Sequence, residues 1–91
     1  MLILKDYYAT WCEPCKWVEP ILIEALRGIE DRIKLEKVDI DEHAEEAKNM
    51  EIKSVPTLVL LHDQKEIWRM QGFKTASEMR SLLSNFLNDH F

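Results

Sequence analysis

The chain opens on Leu2-Ile3-Leu4-Lys5-Asp6-Tyr7-Tyr8, a nearly continuous apolar run. Such a run fits a strand buried on both faces. Over residues 13–27 the spacing changes. Val18, Ile21, Leu22, Ala25, Leu26 and Ile29 recur at helical intervals, and Gly28 stands where a helix stops. Pro20 falls inside that stretch, removes one backbone hydrogen bond and predicts a kink. Residues 33–40 alternate, with Ile33, Leu35 and Lys37 set against Lys34, Glu36 and Val38. That is the period of a second strand. A strand, a helix and a strand in succession cross over right-handedly, which makes the two strands parallel.

Residues 42–50 read as a short polar helix, with Asp41 as its cap. Residues 56–61 form a third strand, with Pro56 at its start, where no ladder donor is needed. A turn at 62–65 leads into a fourth strand, 66–71, hairpin-paired to the third. The clearest helix comes last. Met79, Leu82, Leu83, Phe86 and Leu87 follow one helical face, and Thr75 with Glu78 spells a capping box at its start. The element order is β-α-β-α-β-β-α. This is an α/β protein with one four-stranded mixed sheet and helices on both faces. Residues 1–91 form a single domain, and a chain of this length buries roughly 60–65% of its unfolded surface.

Composition narrows the function. The 91 residues are 46% apolar and 32% charged, with 2 Gly and 3 Pro, which describes a globular chain rather than a disordered one. Twelve basic and 17 acidic residues leave a net charge of −5. That balance offers no basic footprint for nucleic acid and no polybasic patch for a membrane. The longest apolar stretch, 55–61, is broken by Pro56 and Thr57 and falls far short of the about 18 residues a membrane span needs. The first residues lack the basic region and apolar length of a signal peptide, so a cytoplasmic, reducing location is expected. The 2 cysteines, Cys12 and Cys15, form one C-x-x-C pair, a spacing that points to redox or metal chemistry.

Thiol–disulfide exchange needs a thiolate, a second thiol nearby and access. Cys12 falls at or just before the predicted helix N-terminus, where orphan N–H groups and the dipole stabilise a thiolate. Cys15 falls within the first turn, on the same side. Pro14 loses no helical bond there and stiffens the ring. Lys16 adds a positive charge and Glu13 a negative one that opposes the thiolate. A zinc site within the chain needs two more ligands, and His43, His62 and His90 are isolated, without metal-ligand spacing, and read as solvated. Zinc shared between two chains, each giving Cys12 and Cys15, is the remaining metal reading. A disulfide kept for stability alone is disfavoured, because so short a loop constrains little chain entropy. No cofactor is implied within the chain.

The sequence resembles the thioredoxin family from about residue 2 to 87. The resemblance is carried by Asp6-Tyr7-Tyr8-Ala9-Thr10-Trp11-Cys12-Glu13-Pro14-Cys15-Lys16, by Pro20, by Lys37-Val38-Asp39-Ile40-Asp41, by Ile52-Lys53-Ser54-Val55-Pro56-Thr57-Leu58, and by Gly72. It implies that Cys12 attacks and Cys15 resolves. It implies that Asp6 is a buried carboxylate beneath the second cysteine, with a raised pKa suited to proton transfer, and that Lys37 pairs with it. Pro56 matches a cis-proline facing the cysteine pair, which turns the Val55 backbone toward a visiting segment. Trp11, Pro14, Val55, Gly72 and Phe73 then form an apolar docking surface, while Trp17 and Trp68 read as packing residues. The implied partners are disulfide-containing proteins and a flavoprotein disulfide reductase that uses NADPH.

Three departures from the family pattern stand out. The family chain usually begins with a further strand and helix, so strand 33–40 is expected at a sheet edge. Glu13 replaces the usual Gly between Cys12 and Pro14. Glu51 stands where Gly is common, with Asn49 as the candidate for a left-handed conformation. The alternatives to a disulfide reductase are a disulfide oxidase or isomerase, a glutaredoxin-like enzyme using glutathione, and a non-enzymatic binding module.

Overall fold

In a computed structural model that describes residues 1–90, β1 (Leu2–Tyr8) runs through the middle of a four-stranded sheet. It pairs in parallel with β2 (Ile33–Asp39) and antiparallel with β3 (Thr57–His62), and β3 pairs antiparallel with β4 (Lys65–Gln71). The order β2-β1-β3-β4 puts β2 at one edge of the described sheet. The helices are α1 (Cys15–Ala25), α2 (Ala44–Asn49) and α3 (Ala76–His90).

Alternation along β1 sorts the core into two unequal halves. Leu2 and Leu4 face α1 and α3, where they join Val18, Leu22, Leu58, Leu60, Met79 and Leu83 in the main core. Tyr7 points the other way and packs with Val38 and Val59, near Met50 and Ile52 around the end of α2. Helices therefore cover both faces. Coverage of the second face is incomplete, and Ile3 and Lys5 are only half-buried. The expectation of a strand sealed on both sides is corrected here: α2 spans six residues, too short to cover the whole sheet.

Several boundaries also move. α1 is shorter than the 13–27 stretch because residues 13 and 14 belong to the turn that closes the cysteine ring. It ends at Ala25, and Gly28 takes φ +87° just beyond it. Pro20 lies inside α1 without ending it. The stripe of α1 that packs inward is Cys15, Val18, Leu22 and Ala25, which leaves Trp17 60% exposed rather than packed. Trp68 does pack, with its ring 6.4 Å from that of Phe86. The hairpin turn is tighter than expected. Asp63 and Gln64 both take positive φ, which makes a two-residue connection between β3 and β4.

The ends of α2 differ from the reading of the sequence as well. His43, not Asp41, holds the N-cap position, without a side-chain cap. Beyond its other end, Glu51 itself adopts φ +55°, so Asn49 is not the left-handed residue. The capping box of α3 forms as its spacing predicts. Thr75 Oγ1 accepts the Glu78 N–H at 3.2 Å, and Glu78 Oε1 accepts the Thr75 N–H at 3.1 Å.

Candidate active site

β1 ends at Tyr8, and the chain must turn sharply to enter α1 on the sheet face. The Cys12 N–H donates to the Ala9 carbonyl at 3.1 Å, and the Lys16 N–H donates to the Glu13 carbonyl at 3.1 Å. Pro14, which has no N–H to lose, sits at the N-cap with φ −61°. Cys15 is the first residue of α1, and Cys12 lies in the turn before it. The two are joined as a disulfide with their Cα atoms 5.4 Å apart, inside the usual range.

Ala9, Cys12 and Cys15 form a small buried cluster packed by Tyr8, Ile40 and Val55. The two cysteines are only 5% and 6% exposed, so access is narrower than the spacing alone implies. The rim is open. Trp11 is 68% exposed, and Glu13 and Pro14 are exposed beside it. Glu13 is held by Lys16, whose Nζ donates to its Oε1 at 2.9 Å. Each of these two opposed charges therefore meets the other before it meets Cys12.

The Val55–Pro56 peptide is cis, and Val55 packs on the cysteine cluster. The Gly72 N–H donates to the Pro56 carbonyl at 2.8 Å, which ties the end of β4 to the start of β3. Gly72 takes φ +88°, and the next residue, Phe73, is 37% exposed. Reading the sequence missed what holds Trp11. Its indole Nε1–H donates to Asp41 Oδ2 at 2.9 Å, and the Asp41 N–H donates to Asp39 Oδ1 at 2.9 Å. Asp41 thus serves the rim of the site and not the helix that follows it.

Asp6 lies on the sheet face that α1 covers. It is 1% exposed, and among the described residues neither carboxylate oxygen has a hydrogen-bond partner. Burial pushes its pKa up to about 6, with the nearby Lys37 charge opposing that rise and Glu19 adding to it. Lys37 does not make the direct pair with Asp6 that the family resemblance implies. Its ammonium pairs with Glu19 Oε2 at 3.2 Å and lies 4.6 Å from the Tyr8 ring centroid. Glu19 was absent from the sequence-based set of site residues. The available signal was its place four residues after Cys15, one turn along the same helix face. A cavity of about 350 Å³ opens here, lined by Tyr8, Ala9, Thr10, Cys15, Lys16, Glu19 and Lys37.

Among the described residues, no three His, Cys, Asp or Glu side chains form a group that could hold a metal ion. His43 is exposed, His62 is half-buried rather than solvated, and the His90 side chain lies outside the described residues. No described helix is long and apolar enough to cross a membrane.

Comparison with known proteins agrees with this geometry. The thioredoxin family model matches residues 1–85. Bacillus subtilis thioredoxin is 35% identical over 86 residues, covering 94% of this chain and 83% of its own. Chlamydia trachomatis thioredoxin is 40% identical over 83 residues, covering 91% and 80%. Among solved structures, a mutant thioredoxin from Halobacterium salinarum superposes with a TM-score of 0.81 at 32% identity, over 92% of this chain and 73% of that one. A malaria-parasite thioredoxin-2, described as a component of protein secretion machinery, gives 0.87 at 26% identity, over 93% and 82%. A matching family model over nearly the whole chain, close relatives of similar length and an adjacent cysteine pair joined at the head of α1 converge on one conclusion: this chain belongs to the thioredoxin family and is a thiol–disulfide oxidoreductase acting on protein disulfides.

Proposed function

We propose that the protein, acting as one domain over residues 1–91, works in the reducing direction. The observation that carries this reading is a Cys12–Cys15 disulfide closed at the start of α1, on the sheet face that also buries an unpartnered carboxylate. In the dithiol form, the Cys12 thiolate attacks one sulfur of a protein disulfide. A mixed disulfide forms and the other substrate sulfur leaves as a thiolate. Asp6 takes the Cys15 proton, and the Cys15 thiolate attacks Cys12 Sγ. The second substrate sulfur leaves, and Cys12 and Cys15 are joined. The substrate gains two electrons and two protons, and the enzyme loses both.

Asp6 suits the proton step because a carboxyl that titrates near 6 both accepts and returns a proton close to neutrality. Trp11, Pro14, Val55, Pro56, Gly72 and Phe73 form the docking rim, with Val55 offering backbone to an extended substrate segment. Lys37 tunes Asp6 through its charge. A flavoprotein disulfide reductase drawing on NADPH returns the electrons. The reaction belongs in a reducing, cytoplasmic compartment, where such a supply keeps the dithiol form populated.

Reduction of insulin by the parent, Cys12→Ser and Cys15→Ser tests the scheme. Both variants are expected to lose turnover. Only Cys15→Ser should accumulate a mixed disulfide, because it attacks but cannot resolve. Trapping through Cys15 instead would reverse the assigned roles, and undiminished turnover in both variants would end the proposal. An equilibrium potential more oxidising than that of glutathione would reverse the direction.

A further inference from the structure

Lys37 stands between two carboxylates. Asp6 and Lys37 are register partners on β1 and β2, so their side chains leave the same face of the sheet. α1 covers that face and carries Cys15 and Glu19 one turn apart. In the structure Lys37 takes Glu19, at 3.2 Å, and both oxygens of Asp6 are without a hydrogen-bond partner among the described residues. The pair is half-exposed, so it does little for stability. Its position is what matters: Glu19, Lys37 and Cys15 line one cavity.

We infer that Glu19 is a positioning residue that holds Lys37 at the cavity wall, which keeps Asp6 without a direct ionic partner and free to exchange a proton beside Cys15. The inference rests on the proton role proposed above for Asp6. An ammonium in contact with a buried carboxylate strongly favours the ionised form and makes it a poor base. Without the Glu19 anion, Lys37 is released to turn toward Asp6, its register partner across β1 and β2.

The other groups facing Asp6 do not supply this control. Lys16 lines the same cavity, but Glu13 engages its ammonium at 2.9 Å. From β3, Leu58 stands opposite Asp6, and α3 contributes the apolar Met79 and Leu83 to that side of the sheet. Cys15 is itself disulfide-bonded in this state. The charge balance at Asp6 therefore reduces to Lys37, which lowers its pKa, and Glu19, which raises it.

The first measurement uses the oxidised protein and needs no substrate. The Asp6 carboxyl is titrated by carbon-13 NMR and assigned with Asp6→Asn. Glu19→Gln keeps the shape of a half-exposed side chain and removes its charge. It is expected to lower the Asp6 midpoint by about one pH unit. In a Lys37→Met background the same change is expected to have less than roughly half that effect, because the cation that Glu19 holds is gone. The acid limb of the insulin-reduction pH profile should move down with the midpoint. No shift with Glu19→Gln, or an equal shift with and without Lys37, overturns the inference. A shifted midpoint with an unmoved pH profile supports Glu19 as the holder of Lys37 and removes Asp6 from the proton step.

Discussion

Asp6 is where burial and chemistry conflict most. An unfolded chain loses this proton near pH 3.8, whereas the folded oxidised protein holds it up to about 6. Between those values the folded state binds the proton more tightly, so stability falls as pH rises. Above about 6 the loss is complete and amounts to about 3 kcal/mol. Asp6→Asn removes the ionisation. It is expected to stabilise the oxidised protein above pH 6, by up to about 3 kcal/mol, and to give none of this gain below pH 3.8. Urea unfolding of disulfide-intact protein at both extremes checks this, and a gain that ignored pH would contradict it. The burial of Asp6 was legible, because Leu4, Tyr7 and Tyr8 flank it in an apolar run. The partner of Lys37 was not, because Glu19 lies on a different element and only packing brings it within reach.

Among the elements, α2 shows how a six-residue helix stops. The Glu51 N–H donates to the Lys48 carbonyl at 3.0 Å and the Ile52 N–H to the Ala47 carbonyl at 2.9 Å. This crossed pair of bonds needs a left-handed residue at position 51, and Glu51 supplies it at φ +55°. Arg69 Nη2 on β4 secures the bend by donating to the Met50 carbonyl at 2.8 Å. Glu51→Gly relieves the steric cost of that conformation and is expected to stabilise the protein by roughly 0.5–1 kcal/mol. A rise in the denaturation midpoint with unchanged insulin reduction is the expected result. The capping box of α3 was readable in advance, because both partners sit three residues apart in one chain segment. The turn chemistry at Glu51 and the turn of Asp41 toward Trp11 were not, since local preference favours neither.

For the whole molecule, the main core joins the sheet to α1 and α3, and so fixes where Cys15 stands above β1. Leu83 is fully buried in that core. Leu83→Ala is expected to cost roughly 2–5 kcal/mol through lost transfer energy and the cavity it leaves. Chemical denaturation measures the loss, and kcat/KM of the folded fraction should stay near that of the parent, since Leu83 does not line the cysteine cluster. Residue order alone established the strand–helix succession, the parallel crossover, the cysteine pair and the α3 cap. These rest on hydrophobic period, chain reach and contacts between near neighbours. Three-dimensional packing settled the 5% exposure of Cys12, the grip of Asp41 on Trp11 and the choice of Lys37 between Asp6 and Glu19. In each of these the competing partners lie on separate elements, and their relative energies depend on distances and burial that no local pattern encodes.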